Sequence, residues 1–474
     1  MLRIPVLIII ISVIASCGNS FDLGGSEMLG NPVVSPDGSR MLVAFAKDGK
    51  QFLFAAGSLQ GPFDEVRCPQ FSPDGSLYAA YCMRDNQCYV NINGGLLGPS
   101  QSYGWVVFPS SAGRYALSLP GLGGVKVILN GSKIGTYDDA YTGVFSANGD
   151  VFGFVYKKGD MEYVYRNGDN LGPFVYADTP VISADGQHYG FIYSGTNNKT
   201  FILIDGKSYG PYDTAFRPVF SRAGGHYGFF FVNGGQAFLH LDGKEYGPYE
   251  YNVPDTYKLA FYGDAAKPVY TFQKQGMMMI SVDTKEYGPY EWVGMPEYNK
   301  DGSAFALRFK KDNQVYISYK SAEYGPFESA GPAVFSPDGS LVAFHYASKK
   351  TFDMNYVNEL SHYVRAGDIV YGPYEKASDP VGLPDNKSFL FSHGTEGQFF
   401  AQSGTNSQGP YDFVSDIAQS PDKNRYGYAY MTPEGFFTSI DGQVSGPHMW
   451  ADVKFGIGGK AFTVTIDNGV IGLK

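Results

Sequence analysis

The sequence predicts an all-β protein assembled from about twelve copies of one short unit. Composition, a fixed period and recurrent turn signals carry that expectation. Glycine supplies 61 of 474 residues, and tyrosine and phenylalanine supply 37 and 36, against 3 tryptophans. Charged residues are 17% of the chain and hydrophobic residues 43%. That balance excludes wholesale disorder, which goes with high charge and few aromatics. Glycine does not recur every third residue, so collagen is excluded. Ala, Glu, Lys and Leu do not dominate, so helical repeats and coiled coils are excluded. Many aromatics among many glycines read as short strands joined by tight turns.

The period comes from a Gly-Pro-aromatic triplet and its variants. Its glycine falls at Gly61, Gly98, Gly135, Gly172, Gly210, Gly247, Gly288, Gly325, Gly372, Gly409 and Gly446, mostly 37 residues apart. One period before Gly61 stands the degenerate Gly24-Gly25-Ser26, which makes twelve units. A second landmark follows 11 residues after the glycine. It is a Ser-Pro-Asp-Gly turn, complete at Ser35, Ser72 and Ser336 and degraded at Ser183, Asn299 and Ser420. The third is Asn-Gly or Asp-Gly shortly before the next triplet, as at Asn93, Asn130, Asn167, Asp205, Asp242 and Asp441. These pairs are strong hairpin signals, because a type I′ turn needs positive φ at both central residues.

The stretches between turns alternate as strands do. After Gly172 the pattern predicts strands at Pro180–Ser183, Tyr189–Tyr193, Phe201–Ile204 and Ser208–Tyr212. Four short antiparallel strands per ~37-residue repeat is the signature of a β-propeller blade. With its S-P-D-G turns the chain resembles the WD40-like propeller repeats of the TolB type, over nearly its whole length. The last strand, Val470–Leu473, reads as the third of a blade without a fourth, so an N-terminal strand is expected to complete it and hide the exposed edges. Twelve blades exceed the usual four to eight, so two six-bladed rings are expected over one large ring. The expected domains are a signal segment 1–16, a tether 17–23, repeats one to six over 24–246, and repeats seven to twelve over 247–474.

The first residues are a separate object. Arg3 precedes the apolar run Ile4–Ile14, too short for a membrane-spanning helix of ~20 residues and right for a signal h-region. The following Ile14-Ala15-Ser16-Cys17 resembles the bacterial lipobox. That resemblance implies cleavage before Cys17 and fatty-acyl chains, palmitate among them, on that residue. Several chains on one residue anchor stably. Gly18 after the cysteine resembles the outer-membrane sorting pattern. The localisation expected is thus the cell envelope, at the outer membrane or its periplasmic face. The net charge of −10 leaves no basic footprint for nucleic acid.

The repeated residues are expected to be structural. The aromatic after Gly-Pro, as in Phe63, Tyr212 and Tyr374, serves packing between blades. The acid after it, as in Asp64, Asp213 and Glu291, serves turn hydrogen bonding. No zinc spacing, EF-hand, H-E-x-x-H, G-x-S-x-G or P-loop occurs, so no metal, cofactor or catalytic residue is assigned. Cys82 and Cys88 flank the turn 84–87 and are a candidate disulfide, leaving Cys68 free and buried. Two units carry insertions, at Asn252–Lys258 and Lys349–His362. The second contains Phe352, Met354 and Tyr356, the candidate partner loop. The function expected is a non-enzymatic, lipid-anchored scaffold for another envelope protein. A glycan- or small-ligand-binding lipoprotein and a propeller glycoside hydrolase or lyase are the alternatives.

Overall fold

The computed structural model describes residues 20–22, 26–111, 113–196, 199–252, 256–263, 266–349, 360–456, 459–467 and 470–473. Their strands form twelve antiparallel sheets, with no α-helix among the described residues. The chain is a β-propeller of four-stranded blades. In chain order blades 1 to 11 run Glu27–Phe63, Glu65–Ser100, Val106–Tyr137, Asp139–Phe174, Tyr176–Tyr212, Thr214–Glu250, Leu259–Tyr290, Trp292–Phe327, Ser329–Tyr374, Lys376–Tyr411 and Phe413–His448. Blade 12 takes its first three strands from Trp450–Leu473 and its fourth from Ser20–Asp22, which pairs with Val470–Gly472. The expected closure by an N-terminal strand is therefore present, and that strand lies within the stretch read as tether.

The chain divides into two compact units. One holds residues 59–289 with 48–53; the other holds residues 290–474, 54–58 and the N-terminal residues through 47.

Within a blade the first strand differs from the sequence expectation. In most blades it is two short pieces, such as Tyr176–Ala177 and Val181–Ile182, both paired to the second strand. The break spans Asp178-Thr179-Pro180 in blade 5 and Phe216-Arg217-Pro218 in blade 6. Proline has no N–H for the ladder, so the pairing lapses where it stands.

The Gly-Pro step bends the fourth strand. All ten Gly-Pro bonds of the motif are cis, and the ladder shifts register there, as between Thr200 and Ile202 opposite Lys207–Tyr212. Gly210 has φ +122°, and a Cβ on it would lie 3.0 Å from the Thr200 carbonyl oxygen, so a side chain there would be both strained and crowded.

The bend delivers the next aromatic into the following blade. Tyr212 stacks on Phe231 at 4.1 Å between ring centroids, and Phe231 stacks on Phe238 at 5.3 Å. The same step joins Tyr137 to Tyr156 at 4.2 Å, Phe174 to Tyr193 at 4.6 Å and Tyr249 to Phe272 at 4.5 Å. It recurs from Tyr290 to Phe309 at 4.3 Å, Phe327 to Tyr346 at 4.2 Å, Tyr374 to His393 at 3.9 Å and Tyr411 to Tyr430 at 4.2 Å. The tyrosine before the glycine adds a second contact, as Tyr209 on Phe229 at 5.4 Å and Tyr371 on Phe391 at 5.4 Å. The repeated aromatics thus pack between blades, as expected from sequence. Such a pair stabilises by roughly 0.5–1.5 kcal/mol beyond its area burial.

Phe309 sits between Tyr290 and Tyr316 and is 1% exposed. Phe309→Ala is expected to cost about 3–5 kcal/mol, read as a lower urea midpoint with an unchanged m-value.

Candidate binding surface

The turn landmarks are consumed locally. In each Ser-Pro-Asp-Gly turn the serine hydroxyl donates to the Asp two residues on and accepts the backbone N–H five residues on. Ser35 reaches Asp37 at 2.6 Å and takes the Arg40 N–H at 2.9 Å; Ser336 reaches Asp338 at 2.7 Å and takes the Leu341 N–H at 3.0 Å. Ser35, Ser72, Ser336 and Ser420 are buried, yet their hydroxyls are satisfied in both roles. At the hairpin turns Asn93, Asn167, Asp205 and Asp441 adopt positive φ. Their side-chain oxygens accept the first N–H of the second strand, from Tyr78, Phe152, Tyr189 and Tyr426 at 2.8–3.0 Å.

The acids after the aromatic act between blades. Asp64 accepts the Asp85 N–H at 2.7 Å, Asp138 the Gly159 N–H at 2.7 Å and Asp213 the Gly234 N–H at 2.8 Å. Glu250 holds both Gln275 and Gly276 N–H at 2.7 Å. Each of these carboxylates caps the hairpin turn of the following blade, the turn role expected from sequence.

Of the insertion Asn252–Lys258, residues 252 and 256–258 are described. Tyr257 is buried against Phe216, Phe230 and Tyr251 and extends the core there. In the other, Phe352, Met354 and Tyr356 lie outside the described residues, as does Cys17.

The cysteine expectation needs correction. Cys82 lies opposite Tyr89 and Cys88 opposite Met83. Neighbouring strand residues point to opposite faces, so Cys82 and Cys88 project from opposite sides of the sheet and cannot bridge. All three described cysteines are free thiols, and Cys68, expected buried, is exposed at a register shift. Burial pushes the Cys82 thiol up to about 12 and raises that of Cys88.

What the repeat leaves unused lies on the first strands. Tyr176, Trp292 and Phe413 occupy one register position in blades 5, 8 and 11, and they are 49%, 38% and 42% exposed. In blades 4 to 6 a polar cluster surrounds Tyr176. Glu162 is buried, accepts the Ala177 N–H at 2.7 Å and the Tyr141 hydroxyl at 3.2 Å, and has the Lys157 ammonium at 3.9 Å. Lys157 also lies 5.8 Å from the centre of the Tyr141 ring, and the Tyr141 hydroxyl raises its pKa. Arg217 grips Asp178 with two parallel hydrogen bonds from the next blade. Burial raises the Tyr176 phenol, and the carboxylates of Asp178 and Glu162 raise it further.

The arrangement offers flat aromatic faces beside charged pairs that already fix one another. The partners are 21 and 39 residues apart in sequence. Nothing within a single repeat marks them. The available signal was the variability of the first-strand breaks, Tyr141-Thr142-Gly143 against Asp178-Thr179-Pro180 and Phe216-Arg217-Pro218. Among the described residues no helix is long and apolar enough to cross a membrane.

No protein-family model matches the chain, and no curated protein sequence matches it. Similar solved structures include TolB from Acinetobacter baumannii, at 14% identity and a TM-score of 0.25, over 48% of this chain and 62% of that one. A prolyl endopeptidase aligns at 13% identity and a TM-score of 0.29, over 79% of this chain and 55% of its own. The chain therefore spans less than two thirds of either structure.

Two measurements probe these sites. Hydrogen bonds from the turn serines hold Asp37 down to about 2 and lower Asp185, Asp338 and Asp422 below the usual carboxylate range. Depressed carboxylates contribute stability that is present above the unfolded pKa of about 3.9 and lost as pH falls through the folded one. The urea midpoint is expected to fall between about pH 5 and pH 2, with a shallower fall in Asp37→Asn/Asp338→Asn. Alkylation without reductant is expected to label Cys68 quickly and Cys82 and Cys88 only on unfolding. Protection of Cys82 and Cys88 that persists in denaturant until a reductant is added would point instead to a bridge.

Proposed function

We infer that the chain is a lipid-anchored, non-catalytic propeller of the bacterial cell envelope that offers a rigid surface to another envelope protein. The observation that carries this reading is the exposed aromatic repeated at one register, Tyr176, Trp292 and Phe413. The aromatics that follow Gly-Pro, by contrast, are consumed in the seams between blades. Tyrosine and tryptophan dominate interface hot spots because they bring large area at small entropic cost. The turn acids support the same reading, since the hydrogen bonds they accept tie neighbouring blades together. The lipid anchor rests on Arg3, the apolar run Ile4–Ile14 and Cys17.

The cluster around Tyr176 favours a second reading, a glycan site. Sugars stack on aromatic faces and hydrogen-bond to held carboxylate and guanidinium groups, and Tyr141, Tyr176, Asp178 and Arg217 supply both chemistries.

In-cell crosslinking with mass spectrometry separates the two. A reproducible protein partner, lost at least about tenfold in Tyr176→Ser/Trp292→Ser/Phe413→Ser, is expected on the first reading. A co-purifying sugar with no protein partner supports the second. Cys17→Ser is expected to move the protein from the membrane to the soluble fraction; retention in the membrane counts against lipid anchoring.

A further inference from the structure

Blade 9 contains a pair of histidines that no repeat role accounts for. His345 lies on the second strand opposite Val364, and His362 on the third strand opposite Ala347. That register makes them diagonal neighbours on one face of the sheet. Their rings are parallel within 9° with centroids 5.1 Å apart, and His345 Nε2 lies 2.9 Å from His362 Nδ1. From the next blade, Asp379 Oδ1 stands 3.9 Å from the other nitrogen, His345 Nδ1. His345 is 17% exposed and Asp379 52%, so the pair is shielded but reachable from solvent.

The geometry points to a divalent transition-metal site, of the zinc or copper class, held by His345 Nε2 and His362 Nδ1 with Asp379 as the outer-shell carboxylate. Two neutral imidazoles that face each other share one N–H proton across the gap; a metal ion that accepts both facing lone pairs displaces it to the far nitrogen of the same ring, and both imidazoles stay neutral. Zinc–nitrogen bonds of about 2.0–2.1 Å at a tetrahedral angle place the nitrogens about 3.3 Å apart, so on binding the nitrogens part by a few tenths of an ångström and both rings, which meet nearly head-on, swing to aim their lone pairs at the metal. Imidazole suits zinc, copper and nickel rather than magnesium or calcium. A ligating histidine usually donates its second ring N–H to a carboxylate, which fixes the tautomer that leaves Nε2 free. Asp379 stands on that side of His345.

Among the described residues no three histidine, cysteine or carboxylate groups converge on one point. Water or an outside donor therefore completes the coordination, which makes this an open, exchangeable site.

The test titrates zinc chloride into full-length, chelator-treated protein by calorimetry and records the electron paramagnetic resonance spectrum of the copper(II) form. One equivalent is expected to bind, and the spectrum is expected to show two coordinated nitrogens. His345→Gln and His362→Gln should each weaken zinc binding at least about tenfold, and Asp379→Asn about tenfold. His188→Gln, at a surface histidine paired with Asp205, should change nothing. The spectrum of the unaltered protein does not depend on any variant folding. No saturable uptake, fewer than two nitrogens, or His345→Gln and His362→Gln binding like the unaltered protein overturns the site. An unchanged Asp379→Asn overturns the outer-shell role.

Discussion

The contact on which the fold depends is the aromatic that follows Gly-Pro, laid on the second strand of the next blade. It couples a local event, the bend of one strand, to the placement of a neighbouring sheet. The bend needs a glycine there because any Cβ would meet the third strand, as at Gly372, where the His362 carbonyl oxygen would lie 2.7 Å away. Once the aromatic is seated, the acid after it is carried to the backbone of the next hairpin turn. Stacking supplies apolar area and the carboxylate supplies a directed hydrogen bond, so each such step ties a strand to the sheet after it by two kinds of contact.

The seam is not uniform. At the second step Ser100 stands in place of the aromatic itself, and at the first the partner position holds Cys82. There the guanidinium of Arg84 lies 5.1 Å from the centre of the Phe63 ring, substituting a cation for a stacked ring. At blade 12 the step becomes a hydrogen-bonded pair, His448 Nδ1 to Asp467 Oδ2 at 2.7 Å. The Ser35–Gly38 turn also meets blade 12, with Gly38 against the Phe462 ring so closely that a Cβ would lie 2.2 Å from it. Where the repeat closes on itself, polar and glycine contacts replace the stack.

Features whose partners lie a few residues away were legible in the sequence. The Asn-Gly and Ser-Pro-Asp-Gly turns announce themselves because each side chain bonds to backbone within its own hairpin. The third-strand ending at Val470–Leu473 foretold the closure, since a blade with an open edge demands a strand from elsewhere. Register was less legible. A one-residue difference decides the face of every side chain, and it sets Cys82 and Cys88 apart although their spacing suits a hairpin bridge. Pairs that form between strands or blades, such as Tyr141 with Glu162, Asp178 with Arg217 and His345 with His362, were not legible at all. Their partners are set by the stacking of sheets, and nothing in the local sequence marks them.

The completion of blade 12 by Ser20–Asp22 has a mechanical consequence. Only Gly18 and Asn19 separate Cys17 from Ser20, and three extended steps reach about 10 Å. A lipid on Cys17 would therefore hold the outer edge of blade 12 almost against the bilayer, as a hinge holds a door rather than as a long leash holds a float. The strand that closes the fold would then also be its point of suspension. Any pull on the anchor would fall on the three-residue ladder from Ser20 to Asp22 before it reached any other blade.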